Sequence, residues 1–285
     1  MKNYFILFTI ILFTAGAGAG QSQSAGLFRY KAGQYSVVTL TESQGQGNKG
    51  ILVGATPEMI DRYAPGGAFP MATHAYLVQS GGRNVLVDAG MGKLASNIEL
   101  AGLTPMQIDG VLLTHCHGDH IGGLLANGKA AFPNAHLYLS KKEYDYWLSA
   151  PRGDQARSVF AAYDNRIHLF EPGAMGSASS PIIPGFTAFA AYGHTPGHTV
   201  FLLESGREKL LIWGDLTHAL AIQAPCPEVA VTYDVDPADA VRSRKEILKY
   251  VAANGLPVAG MHIPGNGIGK VESAGAGEGY RFVAF

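Results

Sequence analysis

Thr-His-Cys-His-Gly-Asp-His, residues 114–120, places four potential metal ligands within six positions, namely His115, His117, Asp119 and His120. The preceding residues 108–113 (IDGVLL) predict a buried strand. Because side chains alternate along extended chain, His115 and His117 point to one side and Cys116 points to the other, into packing. Imidazole and carboxylate ligands suit a borderline divalent cation such as zinc, so the segment predicts part of a metal site. The alternative is a solvated, histidine-rich turn that has this ligand density by chance.

Three more predicted strands also end in a potential ligand. They are residues 185–192, which lead into His194, residues 209–213, which lead into Asp215, and residues 258–262, with His262 at the tip. Each of these side chains is a ligand type that zinc accepts. We therefore expect the three strand ends to converge with residues 114–120 on one site.

Several polar residues have both a structural and a functional interpretation. Asp88 ends a strand predicted at residues 84–88, where its carboxylate could brace a ligand histidine or cap a turn. His74 is interpreted as a structural histidine rather than a ligand. Cys116 and Cys226 could pair in an exported protein, but a bridge at Cys116 would constrain the neighbouring ligands, so we predict two free thiols.

The composition is typical of a globular α/β protein. The chain has 285 residues, is 47% hydrophobic and contains 37 glycines, with a formal net charge of −1. Near-neutral charge and the lack of a basic stripe in the sequence give no support for nucleic-acid binding. Strands, helix, strands, helix follow one another twice, which predicts a sandwich with sheets inside and helices outside.

The N-terminus has the pattern of a secretory signal peptide. Lys2 precedes an apolar run at residues 4–13, and small residues follow at positions 15–20. We predict a signal peptide over residues 1–20 and a single domain over residues 21–285, with a periplasmic or secreted location and no stable membrane association after signal removal. An uncleaved membrane anchor is the alternative, although the run is short for a spanning helix.

Capping signals set the ends of two predicted helices. Ser140 and Glu143 form a capping-box pattern at the start of a helix over residues 141–149. Pro237 opens a helix that runs to about Asn254, with Gly255 as its stop.

A long connection is predicted at residues 42–72, with a short helix at its centre. Connections of this length are more often functional than idle. We interpret it as a loop that overhangs the site, with Met59, Tyr63 and Phe69 as candidate wall residues. An ordinary surface excursion is the alternative.

The ligand-bearing segments together resemble the metallo-β-lactamase superfamily, most closely methyl parathion hydrolase-like and N-acyl-homoserine lactonase-like enzymes. The matching motifs are His-x-His-x-Asp-His at 115–120, Gly-His-Thr-Pro-Gly-His-Thr at 193–199, Gly-Asp-Leu at 214–216, His262 and Gly-Tyr-Arg-Phe at 279–282. The resemblance implies a four-layer αββα sandwich of the metallo-β-lactamase type.

The resemblance also implies two divalent metal ions, with zinc as the first choice. One cation would be held by His115, His117 and His194, the other by Asp119, His120 and His262, and Asp215 would bridge both. His194 is taken as the ligand because it is the first histidine of its motif. His198 is then a brace behind the ligands, and the reverse assignment is the alternative.

The implied chemistry is hydrolysis of a small-molecule ester or lactone. Two cations would lower the pKa of a shared water, and the resulting hydroxide would attack a carbonyl or phosphoryl centre. Asp119 would orient the nucleophile and pass its proton to the leaving group, and His218 could donate to the substrate oxygen. Lactonases of this type usually have a tyrosine where this chain has His218. The resemblance implies lactones, aryl esters or organophosphate triesters as substrates, and allows a homodimer.

Three other functions remain as alternatives. A β-lactam hydrolase is disfavoured by Asp215, because β-lactamases proper lack a carboxylate there. An iron-dependent thiol dioxygenase-type member of the same superfamily is disfavoured by the predicted export. A non-catalytic metal-binding module is disfavoured by a complete ligand set around a bridging position.

Overall fold

The computed structural model describes residues 22–24, 27–275 and 279–285, so the predicted signal peptide lies outside the described residues. The strands are β1 Ser22–Ser24, β2 Leu27–Ala32, β3 Tyr35–Asn48, β4 Leu52–Val53, β5 Ala68–Ser80, β6 Arg83–Val87, β7 Gly110–Leu112, β8 Leu125–Ala126, β9 Lys129–Ala130, β10 His136–Ser140, β11 Ile167–Phe170, β12 Phe186–Ala190, β13 Thr199–Ser205, β14 Glu208–Ile212, β15 Ala230–Val231, β16 Pro257–Ala259, β17 Ile268–Ser273 and β18 Tyr280–Ala284. The α-helices are α1 Pro57–Tyr63, α2 Leu94–Leu100, α3 Gly118–Ile121, α4 Lys141–Ser149, α5 Asp154–Tyr163, α6 Leu220–Gln223 and α7 Pro237–Asn254. Short 3-10 turns lie at Lys49–Ile51, Pro65–Gly67, Pro105–Gln107, Gly122–Leu124 and Asp164–Arg166.

Two large sheets contain most of the strands. The first has the order β1-β2-β3-β5-β6-β7-β10-β11, and the second has the order β12-β13-β14-β16-β17-β18. β7 runs parallel to β6 and to β10, and β14 runs parallel to β16. The parallel pairs β6–β7 and β14–β16 are joined by crossovers that contain α2 and α7, as parallel strands require. Each crossover places a helix on the outer face of its sheet.

The alternating side chains of β7 and of the residue that follows it show how the layers form. Val111 and Leu113 point into a core that the first sheet shares with α2, α4 and α5. Leu112 points the other way, into a core between the two sheets. A third core lies between the second sheet and α7, where Leu211 packs near Leu248. The molecule is therefore a helix–sheet–sheet–helix sandwich, as the sequence pattern and the resemblance both predicted.

The long helix has the ends that the sequence predicted. α7 begins after Asp236, whose side chain accepts a hydrogen bond from the backbone N–H of Asp239. It ends at Gly255, which has a left-handed φ of 58° that glycine adopts without steric cost.

The capping box predicted for α4 is only half correct. The Ser140 side chain accepts a hydrogen bond from the backbone N–H of Glu143, as expected. The carboxylate of Glu143 does not return to its own helix start. It is buried and accepts hydrogen bonds from two neighbouring loops instead. Donors from distant parts of the chain therefore take the place of the local cap, and the carboxylate is fully removed from water.

The prediction of a loop over residues 42–72 is wrong at both ends. β3 and β5 form one long antiparallel ladder that pairs Ser36 with Gln79 at one end and Asn48 with Ala68 at the other, with an irregularity after Thr41. Only residues 49–67 connect the strands, and α1 lies within them. Phe69, one of the candidate wall residues, is 1% exposed and packs in a small core beside α6.

Met59 and Tyr63 are partly buried against the same small core. α1 is thus attached to the body of the protein through apolar contacts rather than suspended over it.

The structure confirms the expectation about the two cysteines. Cys116 and Cys226 are both free and buried. Among the residues that the structure describes, none of the helices has both the length and the apolar character that a membrane span needs.

Leu112→Ala should destabilise the fold strongly. The side chain is 0% exposed between the sheets, so its truncation leaves a cavity and should cost about 2–5 kcal/mol of unfolding free energy. Urea unfolding followed by far-ultraviolet circular dichroism measures this. As a control, Val283→Ala on β18, where the side chain is 39% exposed, should stay within about 0.5 kcal/mol of the wild type. Equal midpoints for the two variants would contradict the packing described above.

Candidate metal centre

The seven predicted ligands lie together where strands of both sheets end. They form two groups: His115, His117, His194 and Asp215 in the first, and Asp119, His120, Asp215 and His262 in the second. Within each group the potential ligand atoms all lie within 4.8 Å of one another. Asp215 belongs to both groups and therefore lies between them. The four segments that the sequence marked do converge.

Local structure explains how the four potential ligands of residues 115–120 reach the centre. The extended residues after β7 carry His115 and His117, and the first turn of α3 then brings round Asp119 and His120. Gly123 holds this turn against the end of β6, since its N–H donates to the carbonyl of Ala89 at 3.1 Å. A Cβ at Gly123 would lie 2.2 Å from that carbonyl oxygen, so the close approach requires glycine.

Asp215 contacts imidazoles of both groups. Its Oδ2 lies 3.2 Å from His194 Nε2, 3.6 Å from His115 Nε2 and 3.2 Å from His262 Nε2, and its Oδ1 lies 3.1 Å from His120 Nε2. His120 Nε2 and Asp215 Oδ1 are buried and make no hydrogen bond to a described residue, although they lie close together. Buried imidazole nitrogens and carboxylate oxygens that face one another in this way fit a divalent cation of the zinc type.

Asp88 orients one of the inward-facing imidazoles. Its Oδ2 lies 2.6 Å from Nδ1 of His120, and both side chains are fully buried. Asp88 also accepts hydrogen bonds from the backbone N–H and the hydroxyl of Thr114, at 2.8 and 2.7 Å. Fixing Nδ1 leaves Nε2 of His120 directed at the centre. Of the two roles considered for Asp88, the structure shows the brace.

Asp234 has the same relation to His194, and the sequence analysis missed it. Its Oδ1 lies 2.9 Å from Nδ1 of His194, while Oδ2 accepts a hydrogen bond from the backbone N–H of Val231. Arg244 lies behind it, with a guanidinium nitrogen 3.9 Å from Oδ2. This arginine is 1% exposed and donates to the carbonyls of Leu216, Pro227 and Val229.

The two histidines interpreted as non-ligands lie outside both groups. His198 donates from Nδ1 to the carbonyl of Ala191, and its Nε2 accepts from the backbone N–H of Asp215 at 3.0 Å. Burial lowers the pKa of His198 to about 3, so the ring is neutral and can accept in this way. His74 bonds to Thr41 and to the carbonyl of Ile263.

Burial and the carboxylates act in opposite directions on the ligand imidazoles. Burial lowers the pKa of His117 to about 3. Burial also acts to lower the pKa of His194, but hydrogen bonds to Asp215 and Asp234 outweigh it and raise that pKa to about 9. Burial alone would raise the pKa of the Asp215 carboxyl, yet the surrounding imidazoles hold it well below its usual range.

The accessible side of the centre is formed by a few side chains. The Asp119 side chain is 30% exposed, whereas that of Asp215 is 2% exposed. Nε2 of His218 lies 3.1 Å from Asp215 Oδ2, and its ring stacks on His262 with centroids 4.7 Å apart. On its outer side His218 meets the ring of Tyr233 at 5.6 Å, and Tyr233 is 51% exposed.

Residues 68–262 match the family model of the metallo-beta-lactamase superfamily. The chain belongs to this superfamily. The crystal structure of the hydrolase AbOPH, from the beta lactamase superfamily, is similar with a TM-score of 0.80 and 30% identity, over 93% of this chain and 99% of that one. AidC, a dizinc quorum-quenching lactonase solved with a product, is similar with a TM-score of 0.80 and 25% identity, over 91% and 97% of the two chains.

Curated relatives of this superfamily member align over shorter stretches. The atrochrysone carboxyl ACP thioesterase of Aspergillus chevalieri is 27% identical over 165 residues, 56% of this chain and 46% of the relative. The hydroxyacylglutathione hydrolase of Francisella tularensis subsp. novicida is 27% identical over 172 residues, 58% of this chain and 56% of the relative. The chain thus spans about half the length of these relatives. The predicted family and its sandwich fold are confirmed.

Binding of a divalent metal to the metal-free protein should release protons. His194, with a pKa of about 9, is protonated near neutral pH and must lose that proton to become a ligand. The apparent metal affinity should therefore increase as the pH rises from 6.5 toward about 9. Calorimetric titrations in buffers of different ionisation enthalpy measure the protons released. An affinity that does not change over this pH interval would contradict the charge balance described here.

Proposed function

We propose that this chain is a metal-dependent hydrolase with two divalent cations, zinc being the first choice, that cleaves lactones, aryl esters or organophosphate triesters. The observation that carries the proposal is the position of Asp215, whose two oxygens face imidazoles of both ligand groups. A carboxylate in this position is suited to bridge two cations. The similarity to AbOPH and to the dizinc lactonase AidC supports the same class of chemistry.

The proposed ligands divide as the two groups do. His115, His117 and His194 would hold the first cation, Asp119, His120 and His262 the second, and Asp215 would bridge them. When bound, the pair supplies Lewis acidity, which lowers the pKa of a water between them toward neutrality.

Asp119 has the position of a proton carrier. Its carboxylate lies 3.4 Å from His262 Nε2 and is the more exposed of the two carboxylates in the second group. The pKa of Asp119 is lowered, because nearby imidazoles outweigh its burial, so the group is ionised and can accept a proton. We propose that Asp119 orients the attacking water and passes the proton to the leaving group.

His218 is the proposed donor to the substrate oxygen. Its Nε2 lies 3.1 Å from Asp215 Oδ2, at the centre of the proposed site. Burial lowers the pKa of His218 to about 4, so near neutral pH the ring is neutral and carries one proton. Tyr233 covers the outer side of this imidazole, and Trp147 meets the ring of His117 edge-on at 5.6 Å. Aromatic side chains beside the centre favour substrates with an apolar portion.

We also propose that the chain is exported, on the basis of the signal-peptide pattern at residues 1–20. Expression of the full chain in a bacterium with a periplasm, followed by mass measurement of the product, tests this. A product that begins near residue 20 or 21 is expected. Retention of residues 1–20 on a membrane-bound product would favour the anchor instead.

Asp215→Asn should abolish most turnover. Loss of the Asp215 negative charge, which both ligand groups share, should lower the rate by more than about 100-fold. Even the loss of a residue that only hydrogen-bonds to a ligand usually lowers metal affinity or activity by about 10–100-fold. The rate is measured with a lactone, an aryl ester and a phosphotriester at full metal loading. Asp145→Asn, at a surface residue paired with Lys141, is the matched control and should behave as the wild type.

Wild-type rates in Asp215→Asn would eliminate the two-cation mechanism. The same assay extended to β-lactams and thioesters, together with metal analysis and oxygen uptake, separates the remaining members of the superfamily. Turnover of a β-lactam alone would indicate a β-lactam hydrolase, and oxygen consumption with bound iron would indicate the dioxygenase-type enzyme. Either result would overturn the proposed substrate class.

Tyr233→Ala should weaken substrate binding more than chemistry. The ring is half-exposed beside His218, so its loss removes contact area common to the bound substrate and the transition state. KM for an aryl ester should rise about 10-fold, with kcat nearly unchanged. Steady-state kinetics of Tyr233→Ala and Tyr233→Phe measure this, and Phe should retain most of the binding. A fall in kcat in both variants would instead assign the hydroxyl a chemical role.

A further inference from the structure

Glu143 is a buried carboxylate on α4 for which the proposed chemistry has no use. The residue is 0% exposed. A carboxylate removed from water is strongly destabilising unless its oxygens are hydrogen-bonded. The burial of Glu143 must therefore be compensated by hydrogen bonds from its neighbours.

Four donors converge on this one carboxylate. Oε1 accepts from the backbone N–H of Cys116 and from the indole N–H of Trp147, and Oε2 accepts from the hydroxyl of Thr195 and the backbone N–H of Gly197. The distances from Cys116, Thr195 and Gly197 are 3.0, 2.7 and 3.0 Å. An ionised carboxylate is the side chain that can accept four such bonds without presenting a donor of its own.

Three of the donors are neighbours of the first ligand group, which consists of His115, His117, His194 and Asp215. Cys116 lies between His115 and His117 in the chain. Thr195 directly follows His194. Trp147, the third of these donors, contacts the ring of His117 edge-on. The carboxylate thus touches a neighbour of every histidine in this group.

The loops that Glu143 joins come from different sheets. Residues 114–120 follow β7 of the first sheet, and residues 193–198 connect β12 to β13 of the second. α4 lies directly on the second loop, because Ser140 donates to the carbonyl of Gly197 at 2.8 Å. A Cβ at Gly197 would lie 2.2 Å from the backbone nitrogen of Glu143. The contact is close enough to exclude any other residue there.

The second ligand group has a different brace. Asp88 holds His120 from the opposite side and bonds to Thr114. Neither of these residues is a partner of Glu143. The two groups share Asp215, and the Thr114 hydroxyl, which donates to Asp88, also lies 3.1 Å from Nδ1 of His115. Asp88 therefore reaches the first group at one histidine, whereas Glu143 contacts neighbours of all three histidines of that group.

We propose that Glu143 is a positioning residue that fixes His115, His117 and His194 through their loops, and so sets the metal affinity of the first group without affecting the second. The inference rests on the proposed two-cation centre. Its consequence is that loss of the Glu143 carboxylate weakens binding of the first cation, whereas loss of the Asp88 carboxylate, which holds His120 directly and reaches His115 through Thr114, weakens mainly the second.

Glu143→Gln in the otherwise unchanged chain tests this. The amide offers one acceptor oxygen and sets an N–H₂ against two of the four donors, so the loops should lose their fixed spacing. With zinc loaded, release to a chromogenic chelator should occur in two phases. One phase should be faster than in the wild type by about 10–100-fold, and the other should be unchanged. Asp88→Asn should accelerate mainly the opposite phase, with a smaller effect on the first group through Thr114 and His115.

Two milder variants keep the carboxylate in case Glu143→Gln does not fold. Thr195→Val removes one donor and retains the size of the side chain, whereas Trp147→Phe removes one donor together with part of the indole. Each should accelerate the same phase as Glu143→Gln, to a smaller extent, and the thermal unfolding midpoint of Thr195→Val should stay near that of the wild type. Cobalt-loaded samples provide a second readout, since the absorption bands of only one of the two bound ions should change.

The outcomes distinguish the inference from the function on which it rests. If the wild type binds two cations and these variants accelerate both phases equally, Glu143 has only a general structural role and the inference is overturned. If the wild type takes up no divalent cation, the proposed function fails and the inference fails with it. Selective loss from one group in the Glu143 variants, with Asp88→Asn acting mainly on the other group, supports both.

Discussion

Asp215 can serve two ligand groups only because the ends of β7 and β14 lie against each other although they belong to different sheets. A main-chain hydrogen bond of 2.9 Å from Thr199, at the start of β13, to Thr114, which follows β7, also joins the two sheets here. Gly214, with a φ of 57°, makes the contact possible. A Cβ there would lie 2.5 Å from Nε2 of His198 and 2.9 Å from the Cβ of Thr114. The apolar core between the sheets therefore sets the separation of the candidate ligands that come from both sides.

Buried carboxylates behind the imidazoles stabilise this arrangement. Crowded histidines in a site of low water content would otherwise repel one another when protonated and turn freely when neutral. Asp88 and Asp234 each hold the outer nitrogen of one ligand histidine, and each is itself hydrogen-bonded to backbone. A charge that is buried and fully hydrogen-bonded is stable, whereas removal of one partner leaves the other unpaired.

The sequence predicted the parts of the site that depend on local pattern. Each of the seven candidate ligands follows or ends a short apolar strand, and that periodicity can be recognised without tertiary information. Asp88 was marked for the same reason, since it ends a predicted strand. Asp234 follows no regular element, and Glu143 occupies a position where a local capping role explains it equally well. Only the approach of distant loops gives these two carboxylates their partners, so no local signal could identify them.

The same limit explains the error at residues 42–48. This part of β3 is rich in glycine and glutamine, residues with little intrinsic preference for strands, and it is strand only because β5 pairs with it over its whole length. Pairing between segments far apart in sequence overrides weak local preference. The ends of α7, by contrast, depend on Asp236 and Gly255, which act within one turn of the helix.

The placement of Cys116 has a consequence for redox chemistry. Its sulfur lies in the apolar core on the helix side, although its neighbours in sequence are two ligand histidines. Burial, reinforced by the negative charges of Glu143 and Asp88, raises the pKa of the thiol well above its ordinary value. Nucleophilic attack and oxidation by peroxide both need the thiolate. The thiolate form of this sulfur, one residue from each of two candidate ligands, is thus disfavoured, which makes the sulfur less reactive toward peroxide than an exposed thiol.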